Sequence, residues 1–169
     1  RTSMVMNPKD ELYRFYYHPF QAAVDQPGEK EQSYAYWGDA ISMKDYESEF
    51  ITYSFPLIKN GKPYGVIGVE ISVDFLKKYL PYSELSDGTA SAYVLAKRKA
   101  NTDTYTVMAS NGPAYQSFFK TGATFRLVES DEHGSELKIQ DSVALAEKKQ
   151  LQLYKTNTPF ADEEWYVLG

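Results

Sequence analysis

The chain has 169 residues, no cysteine and a formal net charge of -5. This length allows one domain, or one domain and part of a second, with a substantial core. The acidic balance argues against nucleic-acid binding, which depends on clustered lysine and arginine. The absence of cysteine excludes disulfides, thiolate zinc sites and a cysteine nucleophile. The 15 tyrosines favour surfaces that are apolar in the ring and polar at the hydroxyl, such as ligand pockets and interfaces.

The two ends of the sequence resemble cut points. The chain opens at Arg1 without an initiator methionine and stops at Gly169, directly after the strand-like segment Trp165 to Leu168. The sequence contains neither a signal peptide nor an apolar run long enough to span a bilayer. We therefore expect a fragment of a longer protein.

The first predicted elements in chain order are short. Ser3 to Met6 predicts a strand, and Leu12 to Tyr17 predicts a second, aromatic strand that ends at His18-Pro19. Phe20 to Val24 then predicts a short helix that stops near the next Pro-Gly pair. The polar stretch from Glu29 to Glu49 predicts a long loop over the sheet, of a kind that often carries function.

A hairpin is the clearest element of the sequence. Ile51 to Leu57 alternates apolar and polar residues as a half-buried strand does, and Asn60-Gly61 predicts a type I′ turn. A second alternating strand follows and carries one acid, Glu70, on the same face as Gly68. The missing side chain at Gly68 would leave room for a bound group beside that carboxylate.

The remaining segments mix strands with short helices. Ser72 predicts the N-cap of a helix that ends before Pro81. We expect helical turns at Ala114 to Lys120 and a charged loop at Ser130 to Glu136. Further strands are predicted at Ala90–Ala96, Tyr105–Ala109, Phe125–Val128, Leu145–Tyr154 and Trp165–Leu168. This order lacks a regular βαβ alternation and predicts an α+β fold with an antiparallel sheet flanked by short helices.

The phrase ITYSFPL…NGKPYGVIGVEIS…FLKKYL resembles the core signature of the double Cache sensor family, in which a strand turns back through Gly into GVxGxDI and a helix. RFYYHPFQAA resembles the family's Arg-x-aromatic-Tyr segment, AYWGD the aromatic segment after it, and YKTNTPFADEEWYVLG the last strands of the membrane-proximal lobe. The resemblance covers most of the chain and implies a PAS-like sheet in an extracytoplasmic receptor. Residues 1–112 would form the membrane-distal, ligand-binding lobe and residues 113–169 part of the membrane-proximal lobe. The long N-terminal helix with which such domains begin is not visible.

The same resemblance implies a ligand site. In the amino-acid-binding branch of the family, the arginine and aromatic residues hold a ligand carboxylate, and an acid on the GVxGxDI strand holds the ammonium. Carried over by position, these residues are Arg14, Tyr16, Tyr17 and Glu70. The sequence departs from the pattern twice, because Glu70 replaces the usual aspartate, and the acid expected after the tyrosine is absent, with Pro19 nearby. The resemblance therefore does not identify the ligand, and a cationic or zwitterionic metabolite is one candidate class.

Other residues add candidate contacts on the basis of their chemistry. Ring faces with hydroxyl or indole donors, and one further carboxylate, are offered by Tyr34, Tyr36, Trp37, Tyr53 and Asp39. Each candidate has a structural alternative: a packed core for the aromatic residues, a turn for the aspartate, and a salt bridge for Arg14 or Glu70.

Catalytic and metal-binding patterns are poor. His18 and His133 are the only histidines, and their spacing is not that of metal ligands. Asp45, Glu47 and Glu49 alternate as calcium ligands do, but the Gly and final Glu of an EF-hand loop are missing. Asp162 to Glu164 predicts a surface turn. We expect no cofactor and no metal.

Three hypotheses follow. The first is a non-enzymatic extracytoplasmic sensor that binds a small molecule between the sheet and the loop at residues 29–49. Its parent receptor would be membrane-anchored, as a monomer or homodimer, with a diguanylate cyclase, histidine kinase or chemoreceptor domain as output. The second is a protein-interaction domain without a small-molecule pocket. The third is a hydrolase built on the scattered acids.

Overall fold

The computed structural model of the chain describes residues 7–42, 48–85, 91–113, 119–130, 134–139 and 142–169. The chain divides into two compact units. The first contains Arg1–Ile71 together with Thr156–Phe160, and the second contains Ser72–Lys155 and Ala161–Gly169.

The first unit packs one helix on a three-stranded sheet with the strand order β1-β2-β3. Two short 3-10 helices, at Glu11–Tyr13 and Glu31–Tyr34, flank the α-helix. The main elements are α1 (Arg14–Asp25), β1 (Tyr36–Ser42), β2 (Glu49–Lys59) and β3 (Lys62–Ser72).

The predicted strand at Leu12–Tyr17 is wrong, because these residues lie in the 3-10 helix and in α1. Pro19 lies inside α1 and does not end it. A proline has no N–H to give to the carbonyl four residues earlier, which here belongs to Phe15. The buried Ser54 on β2 supplies the missing partner, since its Oγ donates to the Phe15 carbonyl oxygen at 2.6 Å. This bond satisfies the interrupted helix and fixes α1 on the sheet.

The long loop predicted for Glu29–Glu49 is wrong for much of its length, because it contains a 3-10 helix and β1. Residues 43–47 lie outside the described part of the chain. The predicted hairpin turn is confirmed: Asn60 and Gly61 have φ values of 52° and 72°, the left-handed conformation that a type I′ turn requires at both positions.

The second unit contains a seven-stranded sheet with the order β8-β7-β6-β5-β4-β10-β9. Ser72 caps α2 (Val73–Lys77) by accepting a hydrogen bond from Phe75 N at 3.0 Å, and a 3-10 helix follows at Tyr82–Glu84. The strands are β4 (Tyr93–Lys99), β5 (Thr104–Asn111), β6 (Thr124–Ser130), β7 (Gly134–Ile139), β8 (Ser142–Ala146), β9 (Lys148–Leu151) and β10 (Glu163–Leu168).

A buried apolar cluster lies against this sheet. Its members come from β4, β5, β6 and β10 and from the segment before β6: Val94, Ala96, Tyr105, Val107, Phe119, Leu127, Tyr166 and Leu168. Interior strands of this kind need residues that fit a pleated, buried surface, and β-branched and aromatic side chains provide it. Two of its members, Tyr166 and Leu168, belong to β10, which lies between β4 and β9 and not at an edge.

The antiparallel α+β fold predicted from the sequence is confirmed. Of the other predictions, Ser3–Met6 and residues 114–118 lie outside the described part of the chain. The loop predicted for Ser130–Glu136 is wrong in part, since β7 begins at Gly134. The lobe boundary predicted at residue 112 falls between β5 and β6, which are hydrogen-bonded neighbours in one sheet, whereas the two compact units separate at Ile71.

Candidate functional site

Arg14 begins α1 and lies between two carboxylates. Its Nη1 is 3.2 Å from Asp39 Oδ2, and its Nη2 is 3.0 Å from Glu11 Oε1. Asp39 lies on β1, where the register with β2 shifts between Trp37 and Ala40. The side chain of Arg14 is 40% exposed and that of Asp39 is 36% exposed, so water or a ligand reaches both charges. The sequence-predicted candidates Arg14 and Asp39 are thus brought together.

A small cleft lies beside this ion pair, between the start of α1 and the strands β1 and β2. Its volume is about 30 Å³, far below the several hundred Å³ of a pocket that encloses a metabolite. Gly38 lets the walls approach, because a Cβ there would collide with Thr52 Oγ1. The lining residues are Glu11, Leu12, Arg14, Phe15, Gly38, Asp39, Ala40, Ile41 and Thr52. A metabolite bound at Arg14 therefore requires this cleft to widen.

Tyr16 and Tyr17 follow Arg14 on α1 and are both half-buried. The Tyr16 ring contacts the Tyr17 ring edge-on at 5.5 Å and stacks on Phe20 at 5.7 Å between centroids. Residues three apart on a helix lie on one side of it. Tyr17, three residues after Arg14, is therefore the tyrosine nearer to the side of α1 that carries the ion pair.

Trp37 and Tyr53 are paired across β1 and β2, with ring centroids 4.6 Å apart. Ser54 bonds to α1, and neighbouring residues of a strand point to opposite faces. Trp37 and Tyr53 therefore lie on the face of the sheet that faces away from α1. The structure separates these two candidates from Arg14 by the thickness of the sheet.

Tyr34 and Tyr36 belong to the core of the first unit, with 0% and 1% of their surface exposed. The Tyr34 hydroxyl donates to the Gln26 carbonyl and accepts from Glu29 N, which holds the turn after α1. The Tyr36 ring contacts the His18 ring at 4.6 Å. Both tyrosines lie behind the surface, so a ligand contact from either would require this core to open.

Glu70 lies on β3 and is exposed. Asp39 lies on β1, with β2 between the two strands, which places the strands roughly 10 Å apart. The room predicted beside Gly68 is wrong: a Cβ at Gly68 would lie 2.8 Å from Tyr53 O and 3.0 Å from Ser54 Cβ. The glycine permits close approach of β3 to β2 and does not open space for a ligand.

A second arginine, Arg98 on β4, forms a cluster that the sequence did not predict. Its Nε is 2.8 Å from Glu164 Oε2, one terminal nitrogen donates to Thr102 O at 3.0 Å, and the other donates to the Tyr166 hydroxyl at 3.1 Å. The guanidinium also lies 5.2 Å from the ring centroids of Tyr105 and Tyr166. Every nitrogen of Arg98 is used within the protein, which marks this cluster as structural.

The same contacts shift two pKa values. The Tyr166 hydroxyl donates to Glu164 Oε2 at 2.7 Å. This bond, together with the Arg98 guanidinium, lowers the pKa of Glu164 below its ordinary value. Burial first, and then the bond to Glu164, raise the pKa of Tyr166 to about 12. The turn predicted at Asp162–Glu164 is wrong for its last two residues, which begin β10, because Glu164 pairs with Arg98 across the strands.

No helix in the described part of the chain has the length and apolar character needed to cross a bilayer.

No family model and no curated protein matches the chain. The fold is similar to solved ligand-binding domains of bacterial chemoreceptors. The domain of Pseudomonas aeruginosa PAO1 PctB, in complex with L-Arg, has a TM-score of 0.56 and 14% identity over 99% of this chain and 61% of that one. The domain of Pseudomonas fluorescens CtaA, in complex with L-alanine, has a TM-score of 0.53 and 10% identity over 98% and 61%.

At this identity the likeness concerns the fold alone, and the chain spans about three-fifths of the length of these domains, 61% in both cases. Within that limit, the predicted resemblance to Cache-type, PAS-like sensor domains is confirmed as a likeness of fold.

Proposed function

We propose that this chain is the ligand-sensing, non-catalytic part of an extracytoplasmic receptor and binds a small zwitterionic or cationic metabolite at Arg14 and Asp39. The observation that carries the proposal is the half-exposed pair of opposite charges, 3.2 Å apart, at the mouth of a cleft. Burying an ion pair costs the hydration of both charges, and this pair keeps that hydration and stays accessible to a ligand.

A zwitterion complements this pair. The planar fork of Arg14 suits a ligand carboxylate, and the Asp39 carboxylate suits an ammonium group. A ligand carboxylate would replace Glu11, whose side chain is 75% exposed. Displacing such an exposed partner costs little, because surface ion pairs contribute about 1 kcal/mol or less.

Widening of the cleft would accompany binding. Since the cleft of about 30 Å³ is too small for a metabolite, α1 and β1 would have to separate. The ligand would then favour the separated arrangement over the present one, which is the differential affinity that a sensor needs. Binding and the first step of signalling would be one event.

The other predicted contacts take unequal roles. Tyr17 would flank the ligand from α1, with Tyr16 beside it, and Glu70 would meet a second cationic group on a longer ligand. Trp37 and Tyr53 would support β1 from the opposite face. The amino acids bound by the two chemoreceptor domains, L-Arg and L-alanine, make amino acids the first class to test here.

In the parent receptor, the first unit would belong to the membrane-distal, ligand-binding lobe, which the sequence predicts over residues 1–112. Membrane anchoring and an output through a diguanylate cyclase, histidine kinase or chemoreceptor domain are part of the same proposal. A homodimer would suit such a receptor.

A protein-interaction role is the second candidate, and one observation favours it. Tyr64, Ile67 and Val69 on β3 are 64%, 51% and 57% exposed. Exposed apolar residues on a strand at the end of a sheet are suited to pairing with another chain. This role would leave the Arg14–Asp39 pair without a ligand.

A thermal-shift screen separates the two candidates. L-amino acids, amines, carboxylates and sugars would be tested on the chain and on Asp39→Asn. We expect at least one zwitterionic compound to raise the Tm, because a ligand of the folded state stabilises it, and we expect Asp39→Asn to abolish the rise. Asp103→Asn, which alters an exposed ion pair of the second unit with Arg126, is the matched control and should keep it. No rise with any compound, or a rise that survives Asp39→Asn, would refute the proposed site.

A further inference from the structure

Strand β3 has a free edge. The sheet order places β2 on one side of β3, and among the described residues no strand lies on its other side. The backbone N–H and C=O groups along the outer side of an edge strand are unpaired and can bond to a strand of another chain. With its 11 residues, Lys62–Ser72, β3 offers a long edge of this kind.

The edge strand β9 of the second sheet is built differently. It has four residues and begins with Lys148 and Lys149, and both short length and lysine side chains protect an edge from pairing. In β3, the stretch from Tyr64 to Val69 carries no charge, and Tyr64, Ile67 and Val69 are each more than half exposed. The edge of β9 is therefore protected against another chain, whereas that of β3 is suited to one.

Opposite charges flank this uncharged stretch of β3. Lys62 precedes it and Glu70 follows it, both exposed, and every second residue of a strand lies on the same face. If two copies of β3 run antiparallel with Val66 opposite Val66, Lys62 of each copy lies opposite Glu70 of the other. Directly opposed charges of opposite sign stabilise an antiparallel pair. In the same register Tyr64 lies opposite Gly68, so that its ring covers exposed glycine backbone.

The other face of β3 fits the same register. Val69 would lie opposite Pro63 of the second copy, and Ile67 would lie opposite Gly65. The exposed apolar side chains of one copy would thus meet apolar or small residues of the other. Pro63 lacks an N–H, which weakens the pairing at its two ends and leaves its centre intact.

Other arrangements of two β3 strands lose the ion pairs. Parallel copies in register place Lys62 beside Lys62 and Glu70 beside Glu70, and opposed like charges are destabilising. An antiparallel pair shifted so that Ile67 faces Ile67 places Tyr64 opposite Glu70. The charges of β3 therefore favour one antiparallel register, which is two-fold symmetric.

We propose that β3 pairs antiparallel with β3 of a second copy of this chain, with Val66 on the two-fold axis and Lys62 of each copy paired with Glu70 of the other. Such an interface uses the same surface of both copies and closes at the dimer. The inference rests on the proposed function only for the place of this homodimer in a receptor, and the pairing needs no ligand. A carboxylate has two oxygens, so the pair with Lys62 leaves Glu70 able to meet a ligand.

Sedimentation equilibrium of the chain measures the dimer. We expect a reversible dimer with a dissociation constant below about 1 mM. Lys62→Glu should raise this constant at least tenfold, because each dimer contains the ion pair twice and the variant opposes two carboxylates in both places. Glu70→Lys should do the same. The two substitutions combined exchange the charges and should return the constant to within about threefold of that of the unchanged chain.

Lys59→Glu is the matched control for these charge reversals. Lys59 is exposed at the end of β2, beside the same turn, and its substitution makes the same change in net charge. Because it does not lie on the β3 edge, we expect the dissociation constant of this variant to equal that of the unchanged chain.

Cysteine substitution tests the register. The chain has no cysteine, so Val66→Cys introduces one thiol per copy, and on the two-fold axis the two thiols face each other. Mild oxidation should link the dimer through a disulfide. Tyr64→Cys is the control, since its thiol lies opposite Gly68 and roughly 13 Å along the strands from its equivalent, which is beyond the reach of a disulfide.

A chain that stays monomeric up to about 1 mM would overturn the proposal. So would a dimer that the single charge reversals leave unchanged, or equal disulfide formation at the two positions. The thermal-shift screen with amino acids is independent of these measurements. Binding by a monomeric chain would refute the pairing and leave the proposed function standing, whereas a charge-dependent dimer that binds none of the compounds would support the pairing and refute the proposed site.

Discussion

Arg14 and Arg98 are placed in opposite ways, although both lie among tyrosines and acids. Arg14 in the first unit is 40% exposed and pairs with two carboxylates on one open side of α1. Arg98 in the second unit has a side chain that is 22% exposed, donates from all three nitrogens and lies beside two tyrosine rings. An arginine whose three nitrogens all donate within the protein fixes a fold, whereas one with exposed donors beside a cleft can receive a ligand.

The largest effect should come from breaking the enclosed cluster. Arg98→Ala removes the charge partner of Glu164, three hydrogen bonds and the packing of the guanidinium against two tyrosine rings, so we expect the unfolding free energy of the second unit to fall by about 3 kcal/mol. Chemical denaturation, followed through the ¹⁹F resonance of 5-fluorotryptophan at Trp165, measures this loss of unfolding free energy.

Arg126→Ala is the matched control for this loss. The Arg126–Asp103 pair joins side chains that are 70% and 63% exposed at 3.6 Å, and exposed pairs of this kind are worth about 0.5 kcal/mol. Equal losses in the two variants would show that the Arg98 cluster is no more structural than a surface pair.

The second-largest effect should come from alkaline pH, which deprotonates Tyr166 in the same cluster. Because the pKa of Tyr166 is raised from 10.0 to about 12 in the folded protein, the folded state favours the protonated hydroxyl. The resulting stability is fully present below pH 10 and is lost between pH 10 and about 12, on the order of 2 kcal/mol. Between pH 10 and about 12, the denaturation midpoint should fall more steeply with pH in the unchanged chain than in Tyr166→Phe. Equal pH dependence in the two proteins would show that Tyr166 is not the group that titrates.

In the first unit, Glu70→Gln tests whether the exposed acid of β3 reaches the ligand. We expect it to weaken a cationic ligand such as L-arginine by at least tenfold, which is about 1.4 kcal/mol. Isothermal titration of both proteins measures the affinity, with Glu84→Gln in the second unit as control. Unchanged affinity would show that Glu70 does not contact the ligand.

The smallest effect should be that of Arg14 on stability. Arg14→Gln removes two half-exposed ion pairs, so the unfolding free energy should fall by less than about 1 kcal/mol. Denaturation of the first unit, followed through the ¹⁹F resonance of 5-fluorotryptophan at Trp37, measures this change in unfolding free energy. A loss as large as that of Arg98→Ala would remove the distinction between the two arginines.

Local signals were enough to predict part of this fold. The Asn60-Gly61 turn and the Ser72 cap depend on the conformations and hydrogen bonds of a few adjacent residues, and both are present. The helix predicted at Phe20–Val24 is the second half of α1, and its first half was missed for a non-local reason. Pro19 argues against a helix in isolation, and the compensating donor, Ser54, lies 39 residues beyond Phe15 in sequence.

The candidate site likewise combines residues that the sequence predicted with contacts that depend on distant parts of the chain. Arg14 was a candidate from the family resemblance and Asp39 from its residue type, and they meet. Whether Trp37 joins them depends on strand register, and the shift between Trp37 and Ala40 is not readable from residue types. Arg98 was missed for the same reason, since its partner Glu164 lies 66 residues away and becomes a neighbour only through the pairing of β4 with β10.

Ligand binding at Arg14 is tested most simply by isothermal titration of Arg14→Gln with the amino acid that most raises the Tm of the unchanged chain. We expect at least a tenfold loss of affinity while the protein stays folded, because a charge-assisted contact to the ligand carboxylate is removed. An affinity equal to that of the unchanged chain would contradict it, since Arg14 would then serve the fold as Arg98 does.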